Sequence, residues 1–234
     1  MKYTLSFLML MAVLTAPAAA QDAAATPETA PIVPAPMSQT DLLQEPMPGT
    51  DVRWFIWGVP SKDVIEFEKV VLFGEAENAL FFIDDINGIK TLITYEFDRD
   101  RLWRVTFDMQ KQDYPVPQKI IEDYVAYEIM LSKRYGDPKN KQTIWKRDYY
   151  KDKHNRWGLA VYNGDLELGM LWQNERTDVI MTLKAEDYKY KFRVVHTSRE
   201  IAAEREQDAL RESLKFDQKP EPPAPVNEPP ALRP

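Results

Sequence analysis

The sequence predicts an α+β protein in which two successive helix-then-antiparallel-sheet units form one compact body between disordered, proline-rich flanks. Apolar residues switch between a helical period and strict alternation, and they do so in the same order twice along the chain. The alternating runs are separated by Gly, Asn and Asp at hairpin spacing. Prolines crowd the two ends, from Pro27 to Pro48 and from Pro220 to Pro230, where few aromatic residues could drive burial.

The first 20 residues read as a secretory signal peptide: Lys2, an apolar run from Leu5 to Leu14, and an A-x-A cleavage pattern ending at Ala20. The apolar run is about ten residues, against the roughly 20 needed to cross a bilayer. Cleavage near Ala20 would leave a soluble, periplasmic or secreted chain with no membrane span. The chain has no cysteine, so there is no lipidation site after the apolar run, and stability in an oxidising compartment must come from packing. Residues 21–50 are expected to form a disordered Ala/Pro-rich tether and residues 217–234 a Pro-rich tail with polyproline II bias. The Pro-x-x-Pro match at Pro220 to Pro225 is read as part of that tail.

The first helix-sheet unit is expected over residues 51–113. Val52 to Trp57 reads as a short strand, and Pro60-Ser61-Lys62-Asp63 starts a helix carrying Val64, Ile65, Phe67 and Glu68. Ala79 to Ile83 and Ile89 to Phe97 read as a hairpin, because Asn87-Gly88 supplies the positive φ angles of a tight turn. Asp98-Arg99-Asp100 turns the chain again into Leu102 to Met109, where Trp103, Val105, Phe107 and Met109 share the core face.

The second unit, residues 114–197, opens on the strongest helical pattern, Gln118 to Tyr135. Ile120, Tyr124, Tyr127, Leu131 and Tyr135 line one face of it, and Gly136 and Pro138 stop it. Strands are expected at Thr143 to Tyr149, Trp157 to Asn163, Leu166 to Trp172, Thr177 to Leu183 and Tyr188 to Thr197. In the last, Tyr188, Tyr190, Phe192, Val194 and His196 face one way and Lys189, Lys191, Arg193 and Thr197 the other, so that sheet is wet on one side. Residues 198–216 read as a polar helix with a thin apolar stripe of Ile201, Leu210 and Leu214.

A net charge of −7 argues against nucleic acid as a partner. Two histidines and no cysteine leave little from which to build a transition-metal site: His196 belongs to a strand at the core edge and His154 to a charged turn. Asp84 to Gly88 fails the calcium-loop pattern because Ile83 holds the first ligand position, and turn chemistry explains it better. The acidic pairs Asp98 with Asp100 and Asp165 with Glu167 fall at hairpin turns, where Asp caps amides. Ser61, Ser132 and Ser198 lack the companions of a nucleophile. No catalytic, cofactor-binding or metal residue is therefore assigned. A binding surface is expected where basic and aromatic residues interleave, at Trp145, Arg147, Tyr149 and Tyr150, together with the Lys189, Lys191, Arg193 stripe.

Trp57-Gly58-Val59-Pro60-Ser61-Lys62-Asp63-Val64, Tyr95-Glu96-Phe97, Leu102-Trp103-Arg104-Val105 and Tyr135-Gly136-Asp137-Pro138 with Trp145 resemble a group of uncharacterised exported bacterial proteins. That group carries W-G-x-S/T-x-x-x-V at its first helix and K-Y-G-x-P after its second. Here Val59-Pro60 shifts the first spacing by one residue and Arg134 replaces the lysine. The likeness covers most of Val52 to Thr197 and implies no activity. In topology alone the chain is also similar to β-lactamase-inhibitory protein and to the small accessory lipoprotein of the outer-membrane-protein assembly machine. Together these features lead to the expectation of a non-enzymatic binding or assembly module of the bacterial cell envelope, with an envelope protein or glycan as partner and no cofactor. The alternative is a hydrolase acting on an envelope polymer through Asp98 and Asp100, beside Trp103 and Tyr95.

Overall fold

The computed structural model describes residues 49–216; the expected signal peptide, the expected tail and the expected tether up to residue 48 lie outside the described residues. The described elements are α1 (Ser61–Phe67), β1 (Leu72–Ala76), β2 (Ala79–Ile86), β3 (Ile89–Asp98), β4 (Arg101–Met109), α2 (Lys119–Tyr135), β5 (Asn140–Trp145), α3 (Trp157–Tyr162), β6 (Leu166–Gln173), β7 (Thr177–Glu186), β8 (Lys189–Ser198) and α4 (Arg199–Phe216). The α+β class is as expected.

All strands belong to one antiparallel eight-stranded sheet of order β1-β2-β3-β4-β8-β7-β6-β5. The last strand returns to pair with β4, so the two runs of strands meet at the β4/β8 join, where Val105 opposes His196 and Phe107 opposes Val194. One face of this sheet is the core. Trp172, Val179, His196, Val105, Tyr95 and Leu80 form one register row across it, and Met170, Met181, Val194, Phe107, Ile93 and Phe82 form the next. Strand alternation sets this arrangement, because residues of matched parity in adjacent strands share a face.

Two layers cover the core face. On the β8 side lies α2, whose buried Ile120, Tyr124, Tyr127 and Leu131 recur at helical spacing. Tyr124 and Tyr127 pack on Phe192, with ring centroids 5.7 and 5.1 Å away, and the Trp172 indole donates to Ser132 Oγ at 3.2 Å. On the β2–β3 side lie residues 51–68, with Phe55 edge-on to Tyr95 at 5.7 Å. Helix α4 follows β8 directly and buries Ile201, while Leu210 is exposed.

The structure corrects several local expectations. Val52 to Trp57 is a compact turn with a single Val52–Phe55 bridge, because the Asp51 carboxylate accepts from the Trp57 amide at 2.8 Å and folds the segment back on itself. Trp157 to Asn163 is not a strand but α3. A short apolar run fits either period, and here Gly158 admits a contact only a helix start can use: a Cβ on it would lie 2.0 Å from the Pro117 carbonyl oxygen. The strand expected to reach Tyr149 ends at Trp145 and is followed by 3-10 turns at Asp148–Tyr150 and His154–Arg156. Strand β1, with Gly74 in its middle and a register shift beside it, was not expected. Trp103 leaves the core face because the ladder shifts register between Glu96 and Phe97.

Candidate functional site

The residues singled out from sequence fall into two places. Trp145, Arg147, Tyr149 and Tyr150 stand at the β5 edge and the turn after it, whereas Lys189, Lys191 and Arg193 stand on β8, with β7 and β6 between. Most are engaged locally. Trp145 meets Trp157 edge-on at 5.6 Å, Arg147 is ion-paired with the buried Asp165, and Tyr150 packs against the core. Arg193 holds Asp108 through two hydrogen bonds of 2.6 and 3.1 Å. Tyr149 is 69% exposed, with the Lys153 ammonium 3.9 Å from its ring centroid.

The acidic pairs are held apart by structural duties. Asp98 accepts from Arg205 at 2.7 Å, while Asp100 accepts from the Ser61 amide at 2.9 Å and so caps α1. Tyr95, expected beside them, points into the core face. Asp165 pairs with Arg147 and Glu167 with Lys146. His154 stacks on Trp157 at 4.9 Å. Asn87 and Gly88 adopt φ of 55° and 73° in the β2–β3 turn, as their turn chemistry requires. Among the described residues no group of three or more His, Asp or Glu could hold a metal ion, and no helix is long and apolar enough to cross a membrane.

A concave feature lies elsewhere. Between α2 and the Val52-Arg53-Trp54 turn, over the β4/β8 join, runs a groove of about 950 Å³ whose floor side chains are themselves buried. Its floor is Phe107, Val194 and His196, and the β2–β3 turn closes one end with Ile86 and Ile89. One wall is a stripe of α2 at i, i+3, i+4 spacing: Asp123, Ala126, Tyr127, Met130, Lys133 and Arg134. Asn87, Ala126, Ile129 and Lys133 are exposed, which puts the mouth along the outer side of α2.

A buried polar cluster braces the opposite wall. Arg53 donates to Glu68 at 2.9 Å and to Asp84 at 3.0 Å, and the Tyr95 hydroxyl donates to the other Glu68 oxygen. Burial pushes the Tyr95 phenol well above its ordinary pKa, so it remains a donor. This network fixes the turn that carries Trp54. The far end of α2 is tied to the same turn, with Arg134 donating to the Thr50 carbonyl at 3.4 Å and the Tyr135 hydroxyl to the Asp51 carbonyl at 3.0 Å.

Several polar atoms on the lining residues are buried without a hydrogen-bond partner among the described residues: Arg53 Nε, Trp54 Nε1, Asp123 Oδ2 and His196 Nδ1. Such orphans are uncommon and costly in a closed core. Burial, and then the Arg134 charge, lower the His196 pKa to about 3, so the imidazole on the groove floor is neutral. Chemically the groove offers an apolar floor, donors on one wall and cations at one end, with no nucleophile and base poised together.

Sequence reasoning placed His196 at a core edge but missed the groove. The one local signal was Ala126, a small residue inside an otherwise large-residue helix face. The chain matches no protein-family model, no curated protein and no solved structure.

Proposed function

We propose that this chain is an exported, soluble, non-enzymatic binding module of the bacterial cell envelope, and that its ligand is a small, largely apolar molecule seated in the groove between α2 and the Val52–Trp54 turn. The observation that carries this reading is the combination of a floor made by Phe107 and Val194 with orphan polar atoms on residues that line the same groove. Small-molecule sites are typically concave, mostly apolar and about 300–1,000 Å³, with a few placed polar groups. The export part of the reading rests on the Lys2 to Ala20 signal pattern, and the resemblance to exported proteins agrees with it. The element order, α1 then four strands followed by α2 then four strands interrupted by α3, supports reading the chain as two joined helix-then-sheet units, with the groove at the seam where β4 meets β8.

A neutral, environment-sensitive naphthylamine fluorophore titrated into the full chain tests the reading. Saturable binding with one site per chain is expected, together with its loss in Ala126→Trp, where an indole on the exposed groove wall fills the space without touching the buried core. Unsaturable binding, or an Ala126→Trp protein that binds as the original does, overturns it.

A further inference from the structure

Resting on that reading, we infer that the groove is built for a single-chain amphiphile with a carboxylate head, its alkyl chain along the Phe107–Val194 floor and its head at the Lys133 and Arg134 end beside Trp54.

The charge census of the lining sets the polarity. Asp123, at one end of the α2 stripe, already pairs with Lys119 at 3.3 Å. Arg53 is consumed by Glu68 and Asp84. Among the described residues neither Lys133 nor Arg134 forms an ion pair, and Arg134 donates to the Thr50 carbonyl and stands over the Tyr135 ring. Two cations without carboxylates therefore stand together at one end of an apolar groove, on a chain whose net charge is −7. Cations in the last helical turn complement the α2 dipole, which accounts for their sign but not for their place on the groove wall.

The orphan atoms set the chemistry of the head. An indole Nε1 and a guanidinium Nε can only donate, so what completes them is an acceptor, while the unpartnered Asp123 Oδ2 at the opposite end of the stripe is itself an acceptor and keeps an anionic head away from that end. An ammonium head would offer donors to donors and repel Lys133 and Arg134. An alcohol would satisfy one donor and leave the charges unanswered. A carboxylate supplies several acceptor sites and the missing charge in one planar group, the geometry a guanidinium holds best.

The groove's length fits a chain behind that head. Asp123 and Arg134 are separated by about 16 Å along the helix axis at about 1.5 Å rise per residue. The floor between these ends is carbon, apart from the imidazole of His196.

The test is competition against the neutral fluorophore at neutral pH, below micelle concentrations, with four ligands of equal chain length: dodecanoate, dodecyl phosphate, dodecanol and dodecylammonium. Dodecanoate is expected to displace the probe about tenfold or more tightly than dodecanol, as a charge-assisted hydrogen bond gives, with dodecylammonium weakest. In Lys133→Glu, a substitution at an exposed position, that preference should collapse. Dodecanol equal to dodecanoate, or a preference untouched by Lys133→Glu, overturns the anionic head and leaves the groove reading standing. Dodecyl phosphate binding more tightly than dodecanoate overturns the carboxylate. If no ligand displaces the probe and the probe itself does not bind, it is the groove reading that fails.

Discussion

Arg205 of α4 places its guanidinium carbon 4.3 Å from the ring centroid of Trp103, and Arg104 places its own 4.0 Å from the same ring. The indole that sequence alternation assigned to the core is thus held between two cations on the far side of a register shift. It serves as the dock for the last helix. Around it Arg205 reaches Asp98, Arg101 reaches Glu204 at 2.6 Å, and Arg99 pairs with Asp208. Among the described residues of α4, Ile201 alone is buried.

A helix held mainly by exposed ion pairs is loosened by salt, because exposed pairs are screened within about a Debye length. Amides in the middle of α4 should therefore exchange much faster than those of β4 and β8, and faster still in high salt. Arg205→Ala should reproduce the fast exchange at low salt and leave the main melting transition within about 1 kcal/mol of the original. Equal protection of α4 and β8 in hydrogen-exchange mass spectrometry would show that the docking is stronger than its contacts.

The core under α2 gives a sharper contrast. Leu131 is 3% exposed and Ile129, two residues away, is 54% exposed. Urea unfolding of Leu131→Ala should show a loss of about 2–5 kcal/mol, whereas Ile129→Ala should stay within about 0.5 kcal/mol. Ile129→Ala should still weaken the naphthylamine probe, since that side chain lines the groove mouth.

Gly158→Ala probes the seam between α3 and the start of α2. A methyl group there would meet the Pro117 carbonyl carbon at 2.4 Å as well as its oxygen, and both are backbone. The same glycine accepts from the Tyr190 hydroxyl at 3.3 Å and donates to the Gln118 side chain at 3.2 Å, so it cannot shift freely. Overpacking of this kind costs about 1–3 kcal/mol, and denaturation of Gly158→Ala should fall in or above that range.

The polar cluster behind Trp54 should prove expensive to break. Arg53, Glu68 and Asp84 have side chains 8%, 0% and 10% exposed. Arg53→Met strands two carboxylates and should cost about 3–5 kcal/mol, while Tyr95→Phe removes one donor from Glu68 and should cost about 1–3 kcal/mol. Because Arg53 carries the wall of the groove, Arg53→Met should also lose the probe. A variant that unfolds normally but no longer binds would separate the two duties of this residue.

How far these features can be read from sequence depends on whether their cause is local. The α2 boundaries follow from Gly136 and the period of Ile120, Tyr124, Tyr127 and Leu131, and the β2–β3 turn follows from Asn87-Gly88, because each is decided within a few residues. The α3 helix was misread because Trp157 to Tyr162 is too short for period to decide, and a backbone contact with Pro117 decides instead. The groove was not legible. It arises from a gap between α2 and the Val52–Trp54 turn, the latter more than half the described chain away from the β8 strand that helps form its floor, and no local pattern encodes a gap.

His196 offers the most direct reading of the groove floor in solution. Its ring is buried against Phe107 at 5.3 Å and Tyr135 at 5.7 Å, and the cation facing it is Arg134 of α2. Tyr135 stays neutral across the working range, since burial raises its pKa to about 12. Burial, then Arg134, hold the folded His196 pKa near 3, against 6.5 in the unfolded chain. The folded state therefore binds fewer protons than the unfolded state between those values. By linkage, unfolding free energy should be level above pH 6.5 and fall as pH drops below it, by up to about 1.4 kcal/mol per pH unit for this one group. Carboxylates add their own losses at lower pH, so the informative window is the stretch just below 6.5. Urea denaturation across that window should show a shallower slope in His196→Leu, which keeps a similar apolar volume and cannot titrate. Identical slopes for the original protein and His196→Leu would mean that the imidazole titrates normally, and that the floor of the groove is wetter than its lining implies.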